Sequence, residues 1–252
     1  MDERLDTVLQ RVDSRLLSKL WFFYRDYFKN DENCLDFIFR AVRREPVYSE
    51  EELKEKFAKA FDDEGCGEPD ECCFIPSRML ICVERMVSAA RDMDQIRKGK
   101  DVFKIVLLIT CIETLQKLSG KEGVKKDLIL DFFESNTSLK DKNYIRKHFA
   151  RGTQGLYPNE DSFWQFVCVL NEYRNAAAHE GQYWETCFKN DKRRTPLSII
   201  VKTQIDKSSP KTDCIFETTM SYYKFDKIFV RTCISFIMNY IIRYEDIVNA
   251  AP

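Results

Sequence analysis

The chain has 252 residues, 44% of them apolar and 32% charged, with 19 Phe and 11 Tyr. That length buries a substantial core without staples, and the composition is too aromatic for disorder and too charged for a membrane protein. Basic and acidic side chains nearly cancel, 40 against 41, which excludes a histone-like polycation and leaves any attraction to nucleic acid to a local patch.

Leu5, Val8, Leu9, Val12, Leu16, Leu20, Phe23 and Tyr27 recur at steps of three and four and predict a long amphipathic helix. A second helix is expected from about 32 to 43, closed by Pro46. A third starts at Ser49, whose spacing to Glu52 fits a capping box, with Leu53, Phe57 and Phe61 as its buried stripe. The acidic stretch 62–71, with two Gly and one Pro, reads as a surface loop. Helical periodicity resumes from about Ser77 to Lys98, pauses at Gly99, and runs from Asp101 to Leu118 with a nearly all-apolar middle that marks a core helix. Shorter helices follow near Val124 to Glu134 and Lys140 to Ala150, then a Gly-containing loop through Pro158. Asp161 or Ser162 can cap the next helix, which carries Phe163, Phe166, Val167 and Leu170 and stops near Gly181. Leu197 to Ile205 and Cys214 to Tyr223 are rich in β-branched and aromatic residues around the turn signal Asp206-Lys207-Ser208-Ser209-Pro210, which predicts a β-hairpin. A last amphipathic helix is expected from about Phe225 to Val248. The fold class is therefore mainly α: an N-terminal helical region, 1–98, and a helical domain, 99–252, with one hairpin near 197–223.

The longest apolar stretches, such as Ile105 to Cys111, fall well short of the roughly 20 residues a spanning helix needs, so no membrane association is expected. The opening MDERLDTVLQRVDSR lacks a secretory signal's apolar core and cleavage site, and a cytoplasmic location follows as the expectation. The ten cysteines are scattered and most read as reduced thiols, with Cys111, Cys168 and Cys233 as small core residues. Cys66, Cys72, Cys73 and Cys82 lack paired Cys-x-x-Cys knuckles and a nearby histidine, so neither a metal nor another cofactor is expected.

The chemistry concentrates at Arg174-Asn175-Ala176-Ala177-Ala178-His179. Histidine is the side chain best suited to move protons near neutral pH, and the chain has only two. Arg174 lies five positions before His179, about 140° around an ideal helix, so both can flank one groove. Asn175 lies four before His179 on the same face, where its amide can orient the imidazole or touch a phosphate oxygen. The three alanines between keep the surface low. Cleavage of a phosphodiester by an internal 2′-hydroxyl needs a proton-transfer group and a cation on the phosphate oxygens, and the arginine fork suits the second task without a metal.

Glu172-Tyr173-Arg174-Asn175-Ala176-Ala177-Ala178-His179-Glu180-Gly181 resembles the Arg-Asn-x-x-x-His signature of HEPN domains, late in a helical bundle and near a helix end. The resemblance spans about residues 101 to 248. It implies an antiparallel helical bundle that forms a homodimer with two motifs facing one cleft. It also implies RNA as substrate, cut without metal by a toxin or defence nuclease, with Arg174 and His179 catalytic and Asn175 in support. Some members of the family serve instead as non-catalytic modules that dimerise or bind a nucleotide or partner protein. An antitoxin, often nucleotidyltransferase-like, is the partner the family suggests. The family's polar residue on an earlier core helix corresponds to Glu113, with Arg174 as its candidate partner. The bland alternatives are a solvent-facing Glu113, a helix-end role for Arg174 and His179 in the macrodipole, and a helical scaffold in which Arg174 pairs with Glu172 or Glu113.

Lys189, Lys192, Arg193 and Arg194 form a basic run after the motif that can hold RNA phosphates or simply be solvated. Trp184, with Tyr183, can stack on an unpaired base or pack under the hairpin. His148 has basic neighbours and reads as a surface residue.

Overall fold

A computed structural model describes residues 71–96, 100–152, 162–181, 187–189, 195–204, 208 and 210–243. The three helices expected before residue 62 lie outside the described residues. The chain divides into two compact units, of which Arg85–Thr232 forms one. The elements are α1 (Glu71–Ile96), α2 (Asp101–Leu118), α3 (Lys125–Asn136), α4 (Leu139–His148), β1 (Phe149–Arg151), α5 (Ser162–Glu180), β2 (Leu197–Thr203), β3 (Thr212–Thr218) and α6 (Tyr222–Ile242). The fold is mainly α with one small antiparallel sheet, and among the described residues no helix is long and apolar enough to cross a membrane.

Helix α5 occupies the middle of the Arg85–Thr232 unit, packed against α2, α3, α4, β1 and β2. Its sequence dictates that position: from Phe163 through Asn171 every residue but Trp164 is buried, so its early turns have no solvated face. Helix α2 is similarly apolar through Val102, Ile105, Leu108, Ile109, Ile112 and Leu115, all essentially inaccessible. Helix α4 starts where Ser138 Oγ accepts the Asp141 backbone N–H at 3.1 Å. The Asp141 carboxylate in turn takes both forks of Arg231, at 2.9 and 2.6 Å, and ties α4 to α6. Helix α5 ends at Gly181, whose φ of +65° supplies the left-handed turn that stops a helix.

The sheet has the order β1-β3-β2, with Phe149 and Leu197 flanking Thr218 and with Ile200 opposite Ile215. Alternation turns Ile199, Val201, Cys214 and Phe216 inward, whereas Ile200 and Ile215 face solvent. Phe149 stacks on Phe216 at 5.1 Å and meets Phe166 of α5 edge-on at the same separation, so the sheet is fixed to the helix by aromatic packing. Phe225 joins Phe133, Phe166, Phe188 and Phe229. Of the second unit, the described apolar side chains Met79, Leu80, Val83, Cys233, Ile234 and Ile237 are buried.

Three differences from the sequence reading have physical causes. Helix α1 begins at Glu71 and runs through Pro76, because a proline near a helix start forfeits a single backbone bond. Helix α4 stops at His148 and Phe149–Arg151 becomes a third strand, since the unpaired edge of β3 captures its backbone. This capture also overturns the expectation for His148, which is half-buried. Its Nδ1 shares a 2.7 Å hydrogen bond with Thr219 Oγ1, and its ring lies 4.2 Å from that of Tyr144.

Two stability predictions follow from this packing. Phe225→Ala opens a cavity under four rings and should cost about 3–5 kcal/mol, read as a lowered denaturant midpoint; a loss no larger than a surface substitution gives would contradict the central place assigned to this ring. Burial, and then the charge of Lys147, push the His148 pKa below its ordinary 6.5, so the folded state takes up a proton less readily than the unfolded chain. The contribution is therefore present above pH 6.5 and is lost as pH falls through the window below it. The melting temperature should drop on acidification more steeply in the wild type than in His148→Asn; parallel profiles would refute the assignment.

Candidate functional site

The motif occupies the last two turns of α5, where the helix passes from the core to solvent. Tyr173 and Ala177 continue the buried stripe, while Arg174, Asn175 and Ala176 are half-buried and Ala178, His179 and Glu180 are exposed. Only one of the three alanines therefore contributes an open surface. Ala177, four residues after Tyr173 and seven after Leu170, points into the core by helical periodicity.

Arg174 lies with 14% of its side chain exposed and donates from Nη2 to the carboxylate of Glu113 on α2, itself 27% exposed. A carboxylate emerging from the apolar flank of α2 and a guanidinium emerging from that of α5 meet at the same height. Each offsets the cost of removing the other from water. The Nζ of Lys125, in the first turn of α3, lies 3.9 Å from the same Glu113 oxygen. Two cations thus share one carboxylate.

Asn175 Oδ1 accepts from Arg174 Nη1 at 3.0 Å. The spacing allowed this amide either to orient the imidazole of His179 or to touch a phosphate oxygen; its oxygen turns to the guanidinium, since a charged donor outcompetes a neutral one for the same oxygen. The His179 ring is exposed and, among the described residues, is held by no hydrogen bond or ion pair. Of the Arg174 donors, Nε–H and the second hydrogens of both terminal nitrogens remain after Glu113 and Asn175 are served. Glu172 makes no pair with Arg174; it accepts from Lys211 Nζ at 2.6 Å.

The other candidates divide. Lys189 is half-buried and its backbone N–H donates to Met220 O at 2.9 Å. Trp184, Lys192, Arg193 and Arg194 lie outside the described residues. The group that places the start of this segment is one the sequence did not single out. Asp101, at the first position of α2, is 4% exposed, and its Oδ2 accepts the backbone N–H groups of Cys187 at 3.2 Å and Phe188 at 3.0 Å. Lys104, itself buried with Nζ 4.2 Å from the centre of the Tyr222 ring, is 3.3 Å from Asp101 Oδ1. Burial pushes the Asp101 carboxyl up, against the pull of Lys104 and of the two backbone donors. The available signal was an Asp-x-x-Lys pair on the apolar flank of a core helix, a spacing that puts both on one face. Lys125 and Lys211 also went unread, because nothing local distinguishes them from solvated lysines.

No protein-family model, curated protein or solved structure matches the chain.

Removing both members of the Glu113 and Arg174 pair should cost less than the sum of the two single removals. In a double-mutant cycle with Glu113→Ala and Arg174→Ala, read by denaturant unfolding, the coupling should be about 1 kcal/mol, discounted for partial exposure. Strict additivity would show that the pair carries no energy.

Proposed function

We propose that the chain is a metal-independent RNA endonuclease of HEPN type, acting through Arg174 and His179. The observation that carries the reading is the arrangement at the end of α5: an arginine oriented by Glu113 and Asn175, with an exposed histidine five residues further along the same helix. The 2′-hydroxyl oxygen bonds to phosphorus and the bond from phosphorus to the 5′-oxygen breaks. This leaves a 2′,3′-cyclic phosphate and a free 5′-hydroxyl. His179 takes the proton of the attacking hydroxyl or supplies one to the leaving oxygen. Arg174 directs its remaining N–H groups at the phosphate oxygens, where charge builds as the transition state forms. Asn175 and Glu113 are positioning residues that hold the guanidinium plane.

A second copy related by a two-fold axis would bring a second Arg174 and His179 to the same phosphate, and the exposed last turn of α5 leaves room for it. A homodimer is therefore part of the proposal, as is a toxin or defence role with an antitoxin or nucleotidyltransferase-like protein as partner. One observation favours a non-catalytic reading, either a HEPN module for dimerisation or for nucleotide or partner binding or the helical scaffold in which Arg174 pairs with an acid: the Arg174 fork is already engaged by Glu113.

The purified protein should cleave RNA in excess EDTA and leave cyclic or 3′-phosphate ends. His179→Ala should lower the rate by roughly 10²–10⁴-fold with little change in melting temperature. Arg174→Lys should also be damaging, because an ammonium cannot replace the fork. Strict dependence on added divalent metal, or cleavage that survives His179→Ala in a folded protein, would contradict the nuclease reading. An inactive protein that still binds RNA or a nucleotide would select the non-catalytic module.

A further inference from the structure

We propose that the start of α3 and the turn end of the β2–β3 hairpin form a track for the phosphates of single-stranded RNA leading to the motif, built from Lys125, Lys126 and Lys211. It deepens the ribonuclease reading and rests on it for the destination of the strand, though not for the binding itself.

The three amines come from separate parts of the chain and converge on α5. Thr203 and Thr212 are the last pair of the ladder before the connection, which places Gln204 and Lys211 together at the hairpin's turn end. Lys126 Nζ donates to Gln204 Oε1, joining α3 to that end. Lys211 Nζ reaches Glu172 of α5 at 2.6 Å. Lys126 and Lys211 both act electrostatically on the Cys168 thiol, one turn of α5 before Glu172, so they flank the same stretch of helix. Lys126 Nζ also lies 5.7 Å from the centre of the Trp164 ring, one turn earlier again. Trp164, Cys168, Glu172, Asn175 and His179 follow each other at steps of four, four, three and four, a single stripe of the helix. Lys125 completes the row beside Glu113, next to Arg174.

These amines suit an anion better than they suit stability. Lys125 and Lys211 are 67% and 46% exposed, and ion pairs so open to water contribute little to folding. Lys125 and Lys126 stand in the first turn of α3, where positive charge opposes the helix dipole. Among the groups in contact, the cations Arg174, Lys125, Lys126 and Lys211 are met by the carboxylates of Glu113 and Glu172 alone, in a chain whose overall charge is −1. Asp213, beside this end on β3, faces Lys202 across the ladder. A row of amines spaced along a helix, with an aromatic ring at its far end, fits a flexible phosphate backbone. It reads charge and leaves base identity aside.

The test uses the full chain with His179→Ala, which separates binding from cleavage, and a fluorescein-labelled oligouridylate followed by anisotropy over a series of KCl concentrations. Replacing Lys125, Lys126 and Lys211 with Gln should weaken binding at least tenfold and lower the slope of log affinity against log salt by about 2, since each single-strand phosphate contact contributes about 0.7. Replacing the same three with Arg should restore both, and Lys125→Gln alone, at the most exposed of them, should give a partial loss without change in melting temperature. Unchanged affinity and slope in the triple Gln variant would overturn the track, as would failure of the unsubstituted lysines to bind the probe. Displacement of the RNA by poly-glutamate at equal charge concentration would overturn it too, in favour of an acidic protein partner. The ribonuclease reading fails separately: if the chain with His179 intact cuts no RNA while the lysine variants still lose affinity, the track stands and the nuclease does not.

Discussion

A guanidinium that emerges between two core helices has to find a counter-charge, and the arrangement of the motif depends on Glu113 providing it. The pair sets the relative height of α2 and α5 at the point where α5 leaves the core. With the fork drawn toward α2, Asn175 follows the guanidinium, Ala177 closes the core beneath it, and His179 is left on the exposed last turn before Gly181 ends the helix. The far end of α2 acts on the same region: Asp101 holds the backbone of Cys187 and Phe188, the stretch that follows the motif helix. One apolar helix with a carboxylate at each end thereby fixes both the motif and the chain that follows it.

Much of the helical frame was legible because hydrophobic period and chain punctuation agree. Helix α2 runs from Asp101 to Leu118 as its apolar middle and the following Ser119-Gly120 required, α5 stops before Gly181, and the two hairpin strands lie within two residues of their expected starts. The strand β1 was not legible. Three residues after a helix carry no alternation to read, and their extended form comes from pairing with β3, a contact made across some 65 residues of sequence. The half-burial of His148 has the same origin, since Thr219 reaches it only because β1 and β3 pair.

The candidate site was legible where its spacing is local and illegible where it is tertiary. Arg174, Asn175 and His179 lie within two turns of one helix, so their shared region could be read from numbers alone. Which acid would meet Arg174 could not. Glu172 is nearer in sequence, yet it faces the hairpin and Lys211, while Glu113 is 61 positions away and faces the guanidinium. The direction of Asn175 escaped for a related reason: periodicity gives the face a side chain occupies, and competition among donors decides which partner it takes.

On the proposed reading, Arg174 must serve an RNA phosphate while Glu113 holds it, whereas in a non-catalytic module the fork stays with its carboxylate. The most direct measurement is a crystal structure of the protein with a 2′-O-methyl oligoribonucleotide, which keeps the phosphate and lacks the attacking hydroxyl. The proposal predicts a phosphate within hydrogen-bond distance of Arg174, with the His179 ring against one of its ester oxygens. An oligonucleotide seated elsewhere, with His179 in solvent and Arg174 bonded only to Glu113 and Asn175, would contradict it.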